Sequence, residues 1–529
     1  MLTGLVTAVV ALGVAELVTA ISSSFRSPVV DVGDRVIDLV PPAVKDLAIQ
    51  WFGTADKIAL LVGIAVVLAI YAAAVGIVAV RGHLRAGLVG TVLFGVVGAV
   101  AALSSRDERS VLAVLPSLIG AAAGCAALVL LVRRAAPAAA AGSADDDGAA
   151  GAVDGTPVDD HRAAPDADRE RELLAGSRRA FLGAAGALGA AGVGAAATGR
   201  WLSGRFSAAA SRAATMLPRA LRPLPAIPEG ADLGVEGVTP FTTPNADFYR
   251  IDTALTVPQV DVETWRLRID GMVGRPLELT FDELLEREIV EADITMTCVS
   301  NEVGGGLVGN ARWLGVRLDA LLDEAGIDPD ADQVVGRSVD GYTCGFPTAA
   351  LDGRDALVAV GMNGEPLPLR HGFPARLIVP GLYGYVSATK WLRQIELTRF
   401  DRFDHYWVPR GYAVEAPIKT ASRIDTPRGL ARIPVGPTPI AGVAWAQTRG
   451  ITKVEVRIDD GDWQAAELGD QLNDDVWRQW VLRWDATPGR HTVTVRATDG
   501  TGAIQTDERS EPLPDGSSGL HQIVVLVDD

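Results

Sequence analysis

Four unbroken apolar runs occupy the first quarter of the chain: Leu2 to Ile21, Ile58 to Val80, Leu84 to Leu103 and Val111 to Val132. Each holds about 20 residues, enough to cross a hydrocarbon core of about 30 Å as a helix. Their apolar positions lie on every side of a helix instead of in one stripe, so a soluble bundle would leave apolar surface with nothing to cover it. The pattern predicts four transmembrane helices. After Arg134 the chain turns to Ala, Gly, Asp and Pro without apolar periodicity, which predicts a flexible linker from Ala135 to about Ala175.

The linker ends at Ser177-Arg178-Arg179-Ala180-Phe181-Leu182, followed by a weakly apolar Gly/Ala run from Gly183 to Thr198. An arginine pair before a moderate apolar stretch is similar to a twin-arginine export signal. A plain fifth span with a basic inner flank has the same pattern and the same direction. From Arg200 to about Gly234 the chain is Arg-, Pro- and Ala-rich, which predicts a tether. Beyond it, Thr264 to Ile269 alternates like a strand, Phe281 to Arg287 reads as a short helix, and Arg317 to Ala325 as an amphipathic helix stopped by Gly326. Short strands, isolated helices and many turns continue to about Phe400, the signature of an α+β domain. The last part carries Val/Ile/Trp-rich runs at Ile440–Ala446, Lys453–Asp459, Trp477–Trp484, Arg490–Ala497 and His521–Val527, with Asp-Gly turn signals between some of them. Regular short strands without helices predict a β-sandwich of immunoglobulin-like type.

Charge orients the membrane part. Arg81 and Arg85 crowd the turn between the second and third runs and Arg133 and Arg134 follow the fourth, whereas Ser23 to Lys57, read as a loop, carries Asp31, Asp34, Asp38 and Asp46. The positive-inside rule then makes the N-terminus and the linker cytoplasmic and everything after about Arg200 extracytoplasmic. Across 529 residues the formal net charge is −17. An acidic polar remainder argues against nucleic acid as a partner, because a phosphate-binding surface needs clustered Lys and Arg. The three cysteines, Cys125, Cys298 and Cys344, are too few and too scattered for a disulfide framework, a zinc site or an iron–sulfur cluster. All six histidines lie outside the apolar runs, which leaves no axial ligand pair for a haem within the bilayer. Glu16 is the one acid inside a span.

The exported half has no Gly-x-Gly-x-x-Gly opening a helix, no Walker loop, no His-Glu-x-x-His and no Gly-x-Ser-x-Gly, so dinucleotide, nucleotide, zinc-protease and esterase readings lose their support. What remains is Ile294 to Asn301, a strand pattern ending on Cys298 and then Asn301, with Gly304-Gly305-Gly306 next. A thiolate at a strand end beside glycines suits a soft metal or a nucleophilic role. The same residues also suit a buried apolar cysteine or a disulfide with Cys344, and spacing alone does not decide among these.

An ordered series of motifs continues from Cys298: Gly306 to Val316, Asp340-Gly341-Tyr342-Thr343, Asn363 to Pro368, His371 to Pro380 and Gly384 to Leu392. Together, from about Thr242 to the C-terminus, they resemble the sulfite oxidase family of molybdopterin enzymes. The resemblance implies a molybdenum–molybdopterin cofactor with Cys298 as the single protein ligand to the metal and Tyr342 as the active-site tyrosine. It also implies that Arg250, Asn301, His371, Arg376, Ser387 and Lys390 hold the pterin and its phosphate. On this reading the chain itself carries no haem, iron–sulfur cluster or flavin. The implied division is a four-helix transmembrane anchor at 1–134, a flexible cytoplasmic linker at 135–176, a twin-arginine-like fifth span at 177–199 and a tether at 200–235. A molybdopterin-binding oxidoreductase domain follows at 236–400, and an immunoglobulin-like domain of the family's dimerisation type, leaving room for a homodimer, at 401–529.

Two departures bear on the substrate. The family's Gly-Asn-Arg-Arg run after the ligand cysteine is replaced here by Asn301-Glu302-Val303, and its Arg-Asn-His run by Arg250-Ile251-Asp252. A site that trades positive groups for Glu302 and Asp252 should bind a dianion such as sulfite less well. The expected activity is two-electron oxygen-atom transfer on a small substrate. A methionine sulfoxide reductase of the periplasmic type is the rival within the family, and a cofactor-free binding or scaffold protein the rival outside catalysis. The retained Cys298 argues against the scaffold. Electrons would need a separate partner, either a soluble carrier or a haem-bearing membrane subunit.

Overall fold

The computed structural model of the chain describes residues 1–22, 25–40, 44, 51, 56–104, 110–135, 167–204 and 207–528. Contacts divide the chain into two compact units, 1–206 and 207–529.

The first unit is helical: α1 (Leu2–Thr19), α2 (Pro28–Leu39), α3 (Asp56–Val80), α4 (Leu84–Leu103), α5 (Leu115–Ala135) and α6 (Ala167–Ser203). Helices at Leu2–Thr19, Lys57–Val80, Leu84–Leu103 and Val111–Ala135, and one whose apolar stretch begins at Arg179, are long and apolar enough to cross a membrane. Small residues let the backbones approach: a Cβ on Gly4 would strike the carbonyl of Ala72, and one on Gly120 would meet the carbonyl of Ala11. The segment read from sequence as a loop contains α2. Pro28 opens it, Asp31 lies in its first turn, and Arg26 Nη2 meets Asp34 Oδ2 at 2.7 Å. The acids that suggested a loop are interleaved with Val29, Val32 and Val36 at helical spacing. Glu16 is not isolated either, since the Ser27 hydroxyl donates to its carboxylate. Of the expected linker, residues 136–166 lie outside those described, and its end from Ala167 belongs to α6. The side chain of Arg178 is also outside those described; Arg179 is exposed.

The second unit begins with a strap. From Ser207 the expected tether lies along the unit's surface: Leu221 N–H donates to Ile289 O at 3.1 Å and Leu233 N–H to Gln479 Oε1 at 2.7 Å. Its first part holds β1 (Arg266–Gly271), β2 (Leu277–Thr280), β3 (Ile289–Thr297), β4 (Val308–Arg317), β5 (Gln333–Ser338), β6 (Thr343–Pro347), β7 (Leu357–Met362), β8 (Glu365–Pro366), β9 (Arg376–Ile378) and β10 (Leu392–Thr398). These form two sheets, β2-β1-β10-β5-β6 and β3-β4-β7-β8, with β9 added to β7. Both predicted helices are present. Phe281–Leu285 is opened by a capping box between Thr280 and Glu283, and Leu318–Ala325 ends on Gly326 at φ +72°, a conformation glycine adopts without a Cβ penalty. The largest core gathers Leu267, Ile269, Phe346, Leu377 and Ile395 between helices and strands.

The second part of this unit carries β11 (Ala421–Thr426), β12 (Arg432–Pro434), β13 (Gly436–Trp445), β14 (Ile451–Ile458), β15 (Gln464–Ala465), β16 (Glu467–Leu468), β17 (Arg478–Ala486), β18 (Gly489–Asp499) and β19 (His521–Asp528). They make a four-stranded sheet, β11-β13-β17-β16, and a five-stranded sheet, β12-β19-β18-β14-β15. Alternate side chains of both, among them Ile440, Val454, Val456, Trp480, Val493 and Val525, are buried together. The five runs read from the sequence all lie on these strands.

Candidate functional site

Strand β3 is buried along almost its whole length and delivers Cys298 at its end. The Cys298 N–H donates to Leu307 O at 2.9 Å, and the intervening residues fold back as a loop. Asn301 is the clasp of that loop: its side-chain oxygen accepts from the Leu307 N–H at 2.7 Å, and its own N–H donates to Cys298 O at 3.0 Å. Gly304 has φ +80°, and a Cβ there would strike the His521 imidazole. Only glycine lets the loop lie this close to the C-terminal sandwich.

One cleft opens beside Cys298. Its walls include Cys298 and Tyr342 together with His371, Arg376 and Lys390, all identified from the sequence. Cys298 and Cys344 are both free thiols. Cys344 is fully buried on β6, where its sulfur bonds Thr389 Oγ1. Burial raises the Cys298 thiol above its ordinary pKa, while hydrogen bonding from Ser300 and the charge of Lys390 act in the opposite direction. Among the described residues no group of three or more His, Cys, Asp or Glu gathers that could hold a metal ion.

Arg376 is the unusual cation. It is 4% exposed, its Nη1 donates to His371 O at 3.1 Å, its guanidinium lies 5.2 Å from the Trp313 ring centre, and its Nε has no partner. No carboxylate forms an ion pair with it among the described residues. Burial lowers its pKa to about 10. An uncompensated cation in this environment is costly unless an anion joins it. His371 is held neutral, pushed down to about 3 by burial and by Arg376, and its Nε2 lies 3.2 Å from Asn245 O. Lys390 donates to Asp252 Oδ2 at 2.9 Å and to Ile251 O at 3.0 Å; burial lowers it to about 8 against the pull of Asp252.

The remaining sequence-derived candidates sit apart from the cleft wall. Arg250 reaches it only through Asp252, which it meets at 2.7 Å. The Ser387 hydroxyl donates to the carbonyls of Leu382 and Tyr383, and Asn301 closes its loop. Of the two acids expected to lower the positive charge, Asp252 lines the cleft, whereas Glu302 is exposed and does not. Sequence reasoning missed Tyr249, Tyr385, Trp407, Ser338 and Asp340 as lining residues. Two of them had a signal: Asp340 stands in the Asp-Gly-Tyr-Thr motif beside Tyr342, and Tyr385 in the run from Gly384 to Leu392.

A buried thiol, an anion-seeking guanidinium and a lysine converging on one cleft fit a phosphate-bearing cofactor that brings further ligands to a metal. Residues 254–407 match the family described as Oxidoreductase molybdopterin binding domain. The chain is 30% identical to human mitochondrial sulfite oxidase over 317 residues, covering 50% of this chain and 58% of that protein. It is 33% identical over 152 residues to the uncharacterized oxidoreductase YuiH of Bacillus subtilis, covering 29% of this chain and 74% of that protein. The sulfane dehydrogenase SoxCD structure from Paracoccus pantotrophus superposes with a TM-score of 0.48 at 24% identity, over 58% of this chain and 93% of that one. The chain thus spans little more than half the length of the sulfite oxidases it matches.

Proposed function

Because this chain belongs to the sulfite oxidase family of molybdopterin-dependent oxidoreductases, we propose that it is a membrane-anchored enzyme whose second unit, facing away from the cytoplasm, carries out two-electron oxygen-atom transfer on a small substrate. The observation that carries this reading is the convergence of Cys298, Tyr342, Lys390 and the unpaired Arg376 on one cleft. A molybdenum–pterin bound there supplies a two-electron redox couple for oxygen exchange between water and substrate.

The chain's own groups divide the remaining work. Cys298 would be the sole protein ligand to the metal. Its thiol is held protonated by burial, so ligation releases a proton. Arg376 and Lys390, with Arg250 behind Asp252, would hold the phosphate, and neutral His371 would pack against the pterin as a hydrogen-bonding edge without adding charge. Asn301 and Ser387 act from behind, Asn301 by holding the loop after Cys298 and Ser387 by closing the turn before Lys390. Tyr342 donates its phenol proton to Tyr385 O at 2.9 Å, and burial raises its pKa well above the ordinary value. It therefore presents a neutral oxygen that orients substrate and gives up no proton near neutral pH.

The four apolar helices and the Arg178-Arg179 segment support an anchor with a cytoplasmic N-terminus and an exported catalytic unit. The two-sheet arrangement supports an immunoglobulin-like C-terminal domain that serves as a dimer interface. Electrons leave to, or arrive from, a separate carrier or a haem-bearing membrane subunit. Reductive operation on a sulfoxide is favoured as the second reading by Asp252, which neutralises Lys390. Elemental analysis of the purified full-length protein, made in a pterin-competent host, tests the proposal. About one molybdenum per chain is expected, and its absence refutes the enzyme reading.

A further inference from the structure

The cleft has two ends of different chemistry. At one, Lys390 and Arg376 act on each other and on His371, and Asp252 binds both Lys390 and Arg250. At the other stand Tyr342, Tyr385, Trp407 and the carboxylate of Asp340. Three of these are joined directly: Tyr342 donates to Tyr385 O, and the Asp340 carboxylate accepts from the Tyr342 N–H at 3.2 Å. Tyr412 packs its ring 5.0 Å from Trp407 and 5.4 Å from Tyr385, which keeps both rings in place.

The charges felt at each end separate them further. Tyr342 senses Cys344, Cys298 and Asp340, whereas Lys390 senses Asp252, Arg376 and Arg250. No Lys or Arg pairs with Asp340 among the described residues. Tyr249 at the cationic end and Tyr342 at the aromatic end both feel the Cys298 thiol, and all three line the cleft. Once a cofactor phosphate occupies the cationic end, the charged side chain left lining the cleft at the aromatic end is Asp340. Aromatic walls with one carboxylate attract a cation or an uncharged organic group and repel an oxyanion.

We infer that the Tyr342 end, where the function proposed above places the substrate, selects a small uncharged or cationic organic molecule over an inorganic oxyanion, and that Asp340 is its specificity-determining residue. This deepens the function proposed above and rests on the cofactor occupying the opposite end. The inference replaces Glu302, which faces solvent, with Asp340 as the source of the discrimination.

The test uses full-length protein in detergent with its molybdenum content measured first, and titrates it calorimetrically at low ionic strength with tetramethylammonium chloride, dimethyl sulfoxide and sodium sulfate. Tetramethylammonium and dimethyl sulfoxide should bind at least tenfold more tightly than sulfate. Asp340→Asn, which keeps an acceptor for the Tyr342 N–H, should weaken tetramethylammonium about tenfold, leave dimethyl sulfoxide within about twofold and leave the metal content unchanged. Asp340→Glu should retain the cation. Sulfate binding as tightly as tetramethylammonium to metal-loaded wild-type protein overturns the inference and leaves the cofactor reading standing. Protein without molybdenum overturns both.

Discussion

Thr295, three residues before Cys298, is gripped from the C-terminal sandwich at Asp475: its N–H donates to Asp475 O at 2.9 Å. Its hydroxyl accepts from the Trp477 N–H at 2.8 Å, and Gln447 Nε2 donates to its carbonyl at 2.9 Å. β3 is the outer strand of its sheet, so these bonds satisfy an edge that would otherwise present open backbone groups. The sandwich thereby sets the position of the strand that carries the cysteine.

Asp475 gives this junction a pH dependence. Burial raises its carboxyl to about 6, with Asp355 adding to the rise, while its Oδ1 accepts from the Thr448 N–H. The folded state therefore binds more protons than the unfolded chain between about pH 4 and pH 6, and stability from this group falls as pH rises through that window. Asp475→Asn keeps the acceptor and removes the buried charge. Thermal melting should show the variant more stable than wild type at pH 7 by about 1–2 kcal/mol, with the difference vanishing near pH 4.

Cys298→Ser should lower turnover by about 10⁴-fold or more, the scale on which loss of an obligatory group acts. The fold should persist, because the Cys298 contact that shapes the loop is made by its backbone N–H. Circular dichroism beside a molybdenum assay checks this. Full activity in the serine variant would exclude the thiol as the metal's ligand.

Arg376→Met removes the unpaired buried cation. Cofactor-free protein should gain about 1–3 kcal/mol, since an uncompensated charge is replaced by an apolar chain of similar length. Molybdenum retention through dialysis should fall at least about tenfold. A variant that loses stability in the cofactor-free form and keeps its metal would show that Arg376 serves packing against Trp313 instead.

Changing Arg178 and Arg179 together to Lys should leave the first four apolar helices inserted and strand the second unit in the cytoplasm. Alkaline phosphatase fused after the last residue reports the difference as a loss of activity of about tenfold or more, because the reporter works only outside the cytoplasm. Unchanged activity would mean that the pair serves as a positive-inside flank alone.

Much of the architecture was legible in the chain because it rests on local patterns. Run length and all-round apolarity marked the long helices, Val/Ile/Trp-rich runs between turn signals marked the sandwich strands, and the motifs from Cys298 to Leu392 carried the family. The helix at Pro28–Leu39 was missed because its acids masked a helical stripe of valines.

The chemistry of the cleft was another matter. Within five residues of sequence, Cys298, Asn301 and Glu302 have separate fates: one faces the cleft, one clasps a loop, one points to solvent. Asp252 neutralises Lys390 across 138 positions, and Asp475 supports Thr295 across 180. By itself the sequence determined which residue types were available and which segments form helices and strands, since those preferences act over a few neighbouring residues. Only the tertiary structure decided which charges meet and which carboxylate is left to face a substrate, because charge interactions depend on distance and burial, and those are set when remote segments pack together.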